Sequence, residues 1–361
     1  MILHSTKRVI RLVPILLILG LITACSGGSS TSNEDNNSNS SDSSDETLSI
    51  GTTPVGVSYN SVGNGLAKVI SNNSSLKLSV KPSNGLSAWG PQLDKGTIQL
   101  GVGSAPDLAW GFHGQNGYSE MKNMRALVRG NYLSVTGIAV REDSDIESVA
   151  DLKGKKIAGD YPGSAIAKLI TEAVLEANGM DWDDVTEVPV ASTKAGIDAL
   201  RDNKVDGAFA LTPTTPVMED AHNSVGLKAI DFIDNTSPED IDEIPQEVID
   251  QVTEVVPGVR FNVSEPKGYI GEKTVSVEYP SQMVASSHLS DDAVYEIVET
   301  LWSNYEELQP IHAWFQTWST DQFFDPNPTV PYHSGAVKFF KDKDLWNDEV
   351  DEIQQELLAD Q

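Results

Sequence analysis

From residue 47 onward, short apolar runs alternate with stretches whose apolar residues recur every three or four positions. That is the pattern of strands followed by amphipathic helices in a parallel α/β layer. Residues 48–50 predict a first strand, 60–71 a helix, 76–80 a second strand, 88–95 a helix and 98–102 a third strand. Residues 125–128 and 133–140 are extended and apolar, and are expected to carry the chain across to a second unit. There the same order returns: a strand from 157, a helix over 165–177, a strand at 187–190, a helix near 193–201 and a strand over 205–211. Two α/β units joined by crossing segments predict two lobes with a cleft between them.

In open parallel sheets, ligands bind outside the carboxyl ends of the strands, where loops lead into helix N-termini. Free backbone N–H groups and the helix dipole gather there. Four such loops carry Ser or Thr together with Gly or Pro: residues 52–59, 103–107, 161–164 and 212–216. The candidate ligand-binding residues are therefore Thr52, Thr53, Ser58, Tyr59, Ser104, Asp107, Tyr161, Gly163, Ser164, Thr212 and Thr214. The same residue types also serve as ordinary helix caps and turns. Trp89 and Trp110 fall near these loops, either as pocket walls or as core; Trp302, Trp314 and Trp318 read as core on a C-terminal helical stretch.

The start of the chain adds an address. Lys7, Arg8 and Arg11 precede an apolar run over residues 12–24, too short for a comfortable membrane span, which reads as an export signal over residues 1–24. The run ends at Thr23-Ala24-Cys25, a lipobox-like phrase that makes Cys25 the expected lipid attachment point. Residues 25–46 are rich in Ser, Asn and Asp and are expected to be a flexible tether. The expected location is thus a periplasm or the outer face of a membrane. Cys25 is the sole cysteine, so no intrachain disulfide or Cys-based zinc site is expected. A net charge of −28 argues against nucleic acid as a partner.

Four stretches carry a family resemblance: Ile50-Gly51-Thr52 through Tyr59; Asp151-Leu152-Lys153-Gly154-Lys155 with Pro162-Gly163-Ser164; Ala199-Leu200-Arg201 through Asp206-Gly207; and Pro331-Tyr332-His333-Ser334-Gly335-Ala336. The chain resembles the TAXI-type solute receptors of tripartite ATP-independent periplasmic (TRAP) transporters. The resemblance implies a two-lobed α/β fold of the type II periplasmic-binding-protein kind, with a ligand cleft between the lobes. Lobe I would span 47–133 and 274–361, and lobe II 134–273. It also implies a monomeric carrier that hands a small organic solute, a carboxylate or an amino acid of the glutamate or glutamine class, to TRAP membrane permease subunits. Two departures stand out: Thr53-Pro54-Val55 replaces a glycine-richer first loop, and Ala165-Ile166 follows Ser164 where Gly-Thr is usual.

Enzymatic readings find little support. Ser104 and Ser164 sit in turns, but neither lies in Gly-x-Ser-x-Gly, and no histidine can be set beside them; a secreted serine hydrolase is the weaker alternative. The histidines lack metal-ligand spacing, and no phosphate-binding Gly-x-x-x-x-Gly-Lys loop is present. No catalytic residue, metal or cofactor is expected. A binding protein of an ABC-type importer, or of a sensor, is the alternative of the same fold.

Overall fold

The computed structural model describes residues 47–359. The expected export signal, Cys25 and the tether lie outside the described residues.

In chain order the first unit runs β1 (Thr47–Thr52), α1 (Ser58–Asn73), β2 (Lys77–Pro82), α2 (Leu86–Asp94), β3 (Leu100–Ser104), α3 (Ala105–His113) and the long strand β4 (Met124–Val135). The second unit runs β5 (Ile138–Arg141), β6 (Lys156–Asp160), α4 (Ala165–Ala177), β7 (Thr186–Val190), α5 (Thr193–Arg201), β8 (Gly207–Phe209), α6 (Pro216–Val225), β9 (Leu227–Ala229) and α7 (Gln246–Val255). The chain then returns through β10 (Arg260–Ser264), β11 (Thr274–Ser286), α8 (Asp291–Asn304), α9 (Thr320–Phe323), α10 (Ser334–Asp342) and α11 (Asp348–Ala359).

The first sheet orders its strands β10-β11-β3-β1-β2, with β4 also paired to β11; the second is β7-β6-β8-β5-β9. Strand β1 is parallel to both β2 and β3, and β6 is parallel to both β7 and β8. This is the two-lobed α/β architecture that the hydrophobic pattern predicts, of the periplasmic-binding-protein-like kind that the family resemblance implies. The strand β10 falls within residues 134–273, the stretch expected to form lobe II, yet it pairs with β11 in the first sheet. Its alternation of side chains suits an edge position, which sequence periodicity does not assign to one sheet or another.

Local chemistry explains the elements nearest the cleft. Helix α1 turns Val62, Leu66, Val69 and Ile70 into the core, where all four are buried. Gly51 and Gly101, on neighbouring strands, leave room for the Trp89 ring. A Cβ on Gly101 would stand 2.3 Å from that ring. Trp89, 1% exposed, is therefore core and does not wall the cleft. Strand β4 crosses between the lobes through Thr136-Gly137, and Gly137 has a left-handed φ of 90°. A Cβ there would meet Val174 of α4 at 2.3 Å.

Candidate functional site

All four predicted loops arrive at one place. Each sits at the carboxyl end of a parallel strand and opens a helix: β1 to α1, β3 to α3, β6 to α4 and β8 to α6. The first two belong to lobe I and the second two to lobe II. They meet face to face.

The contacts between them are specific. Ser58 Oγ at the start of α1 lies 2.5 Å from Thr215 Oγ1 at the start of α6. The Val217 amide of α6 donates to the Gly56 carbonyl at 3.1 Å. Asp107 of α3 reaches the start of α4, where its Oδ1 accepts from the Ile166 amide at 2.9 Å and its Oδ2 from Ser164 Oγ at 3.4 Å. Tyr118 donates its hydroxyl to Asp107 at 2.8 Å and accepts from the Ala165 amide at 2.8 Å. The Leu86 amide donates to the Gly163 carbonyl at 3.0 Å. That approach is so close that a Cβ on Gly163 would lie 1.6 Å from the Asn84 carbonyl oxygen.

The first four N–H groups of any helix lack intrahelical partners. Ser104 caps its own helix α3, accepting from the Asp107 amide at 3.2 Å. Ser164 and Thr215 occupy the N-cap positions of α4 and α6, yet neither caps its own helix. The opposite lobe supplies those partners instead: Asp107 and Tyr118 for α4, and the Gly56 carbonyl for α6. The cleft helices are thus completed across the cleft.

The remaining candidates divide clearly. Thr52 is fully buried and braces its own loop, donating to the Thr53 carbonyl and accepting from Asn60. Tyr161, also fully buried, sits at a left-handed φ of 46°, and its hydroxyl accepts from the Phe209 amide within lobe II. Thr214 lies beside the contact in a pocket of about 370 Å³, whose wall also includes Thr212, Trp314, Ser134 and Asn262. That volume is within the size range of small-molecule sites. Thr53 Oγ1 and the Tyr59 hydroxyl are buried without a hydrogen-bond partner. Burial holds the Tyr59 pKa well above its ordinary value, with the Tyr279 hydroxyl and the Asp107 carboxylate adding to the effect.

Three participants escaped sequence reading. Tyr118 lies 11 residues beyond Asp107 in a loop without periodicity. Thr215, rather than Thr214 alone, makes the lobe-to-lobe contact; the Pro at the next position, which fixes the first helical residue, marks it as an N-cap. Trp314 lies in a short 3₁₀ turn, Ala313–Thr317, rather than a helix. Its indole donates to Thr212 Oγ1 at 3.0 Å, and its ring stands edge-on to Tyr59 at 5.8 Å.

Hydrolytic chemistry finds no support at Ser104, whose hydroxyl donates to Asp107 at 2.7 Å. His222 and His333 are engaged with backbone groups elsewhere, whereas His312 stands beside the pocket, its ring accepting from the Trp314 amide at 3.2 Å. Among the described residues, no group of three or more His, Cys, Asp or Glu side chains is arranged to hold a metal ion. Arg129 pairs with Asp325 at 3.4 Å, and Arg141 with Asp143 at 2.9 Å.

Comparison with known proteins places this geometry. The NMT1-like family matches residues 50–343, most of the chain, and the protein belongs to that family. Among solved structures, one described as a periplasmic transporter is 12% identical, with a TM-score of 0.52 over 86% of this chain and 96% of that one. The periplasmic aliphatic sulphonate-binding protein SsuA of Escherichia coli is 17% identical, with a TM-score of 0.41 over 87% and 86%. The binding protein component of an ABC phosphonate transporter from Pseudomonas aeruginosa is 12% identical, with a TM-score of 0.49 over 86% and 98%. At 12% identity the likeness to the periplasmic transporter structure is one of fold.

Proposed function

We propose that this member of the NMT1-like family is an exported solute-binding protein that closes its two lobes around a small polar molecule and presents it to a membrane permease. The observation that carries the reading is the Tyr59 hydroxyl. It is sealed at the meeting of the four loops with no partner, beside a pocket that shares Thr212 and Trp314 with the contact. An unmatched buried hydroxyl costs about 1–3 kcal/mol, and a solute hydrogen bond would recover it. Thr53, Thr212 and Thr214 are the further residues we assign to the solute, and Ser58, paired with Thr215, to closing the lobes. Ser104, Asp107, Tyr161, Gly163 and Ser164 we assign to building and closing the site.

For the permease, ABC-type import is the reading we place ahead of TRAP delivery. The family the chain belongs to is the NMT1-like one; of the four stretches that carry the TAXI resemblance, the C-terminal phrase is the more characteristic, and its His333 caps a helix. Export and attachment through Cys25 complete the proposal.

The test is a thermal-shift screen of small polar solutes on wild type and on Tyr59→Phe. A solute at a hundredfold excess over its Kd stabilises wild type by about 2.7 kcal/mol. The variant should melt no lower than wild type when empty, and should bind the same solute at least about tenfold more weakly, since a lost hydrogen bond is worth roughly 1.5 kcal/mol. Equal affinity in both proteins would remove Tyr59 from the site.

A further inference from the structure

We propose that Asp107 is a resident anion: it takes the place at the start of α4 that an anionic group of a solute would take, so the cleft selects small polar solutes without an anionic group. The inference rests on the solute-binding reading and narrows it.

A helix N-terminus at the carboxyl end of a parallel strand is a ready position for carboxylate, phosphonate or sulfonate. At α4 that position is filled from inside the molecule. A carboxylate offers about four lone-pair sites, and Asp107 uses all four. Its Oδ1 accepts from Tyr118 and the Ile166 amide, and its Oδ2 from Ser104 and Ser164. Two of these donors, Ser104 and Tyr118, belong to lobe I and hold the carboxylate in place before the lobes meet. The other two belong to lobe II and arrive on closure. Asp107 is 5% exposed, and no Lys or Arg is bonded to it. A second anion brought beside it would face an uncompensated like charge in a poorly screened interior, where such repulsion is severe. The nearby unpartnered groups, the Tyr59 hydroxyl and Thr53 Oγ1, are neutral and suit neutral or amine donors and acceptors. The departure at Ala165-Ile166 is consistent: an apolar pair stands where the Ala165 and Ile166 amides serve Tyr118 and Asp107 rather than a ligand.

Chemical rescue tests the inference without knowledge of the natural solute. Wild type and Asp107→Ala are melted in acetate, methylphosphonate and acetamide, with chloride at equal ionic strength as the reference. Wild type should respond to acetate and methylphosphonate no more than to chloride. Asp107→Ala should melt lower, and acetate or methylphosphonate should restore about 2–4 °C in a saturable manner, while acetamide does not. Saturable stabilisation of wild type by either anion, or a folded Asp107→Ala that gains no anion response, overturns the inference. If Asp107→Ala does not fold, Asp107→Ser, which vacates the carboxylate position and keeps a small hydroxyl, takes its place with the same expectations. A wild-type screen of matched acids and primary amides separates the two levels of the argument. Binding confined to amides or amines supports both levels. Binding confined to acids overturns the resident-anion inference and leaves the solute-binding reading standing. Binding by neither series removes the solute-binding reading, and this inference with it.

Discussion

At the scale of single residues, small groups at short range join the lobes. Gly163 is the extreme case. Any side chain there meets the Asn84 carbonyl, because the Gly163 carbonyl must come within 3.0 Å of the Leu86 amide. Gly163→Ala is expected to prise the loops apart and cost about 1–3 kcal/mol, as steric insertion into a packed site does; denaturant unfolding measures it. Ser58 and Thr215 form another join, and each hydroxyl can donate or accept. A double-mutant cycle of Ser58→Ala with Thr215→Val should give a coupling of about 0.5–1.5 kcal/mol. A coupling near zero would mean that the hydroxyl pair contributes nothing to closure.

At the scale of elements, the C-terminal phrase Tyr332-His333-Ser334-Gly335 has a structural occupation. Gln354 of α11 clamps the Tyr332 backbone on both sides, at 2.8 and 2.9 Å. His333 begins α10: its Nδ1 accepts from the Gly335 amide and its Nε2 donates to the Leu289 carbonyl. Burial holds the His333 pKa below the ordinary 6.5, against the opposing pull of Asp291. A base whose pKa is depressed by folding adds stability above its unfolded pKa and loses it as pH falls through the folded value. The fold should therefore weaken from about pH 6.5 downward, as protonation removes the Nδ1 acceptor from Gly335. His333→Asn retains a capping oxygen without the titration. Its unfolding free energy should vary less than that of wild type between about pH 7.5 and 5.5, and parallel curves would discount the histidine. Gln354→Ala leaves the buried Tyr332 amide and carbonyl unmatched, and should cost about 1–3 kcal/mol.

At the scale of the whole molecule, charge dominates. The sequence carries 53 acidic against 25 basic residues. The ion pairs present are mostly exposed, such as Lys155 with Asp145 and Lys341 with Asp351, and pairs of that kind contribute little. Net repulsion is therefore the larger electrostatic effect, and salt should relieve it. The melting temperature is expected to rise between about 0.05 and 1 M sodium chloride. A fall would show that the surface pairs outweigh the repulsion.

Hydrophobic periodicity alone determined the alternation of strands and helices, the two α/β units and the four loops at strand ends. Each of those is a local property, set by which residues of a short segment must leave water. The sequence also marked Ser58, Tyr59, Asp107, Ser164 and Thr212, because turns and helix starts draw on a small set of residue types. Only the tertiary structure decided what these residues do. Whether Ser164 caps its own helix or leaves that task to Asp107, which lies 57 positions earlier, depends on how the lobes meet. Tyr118, Thr215 and Trp314 joined the site for the same reason, since contacts between distant segments leave no period in the chain. Tyr161 and Trp89 went to the core because an aromatic ring near a loop packs wherever the opposing glycines and helices leave space.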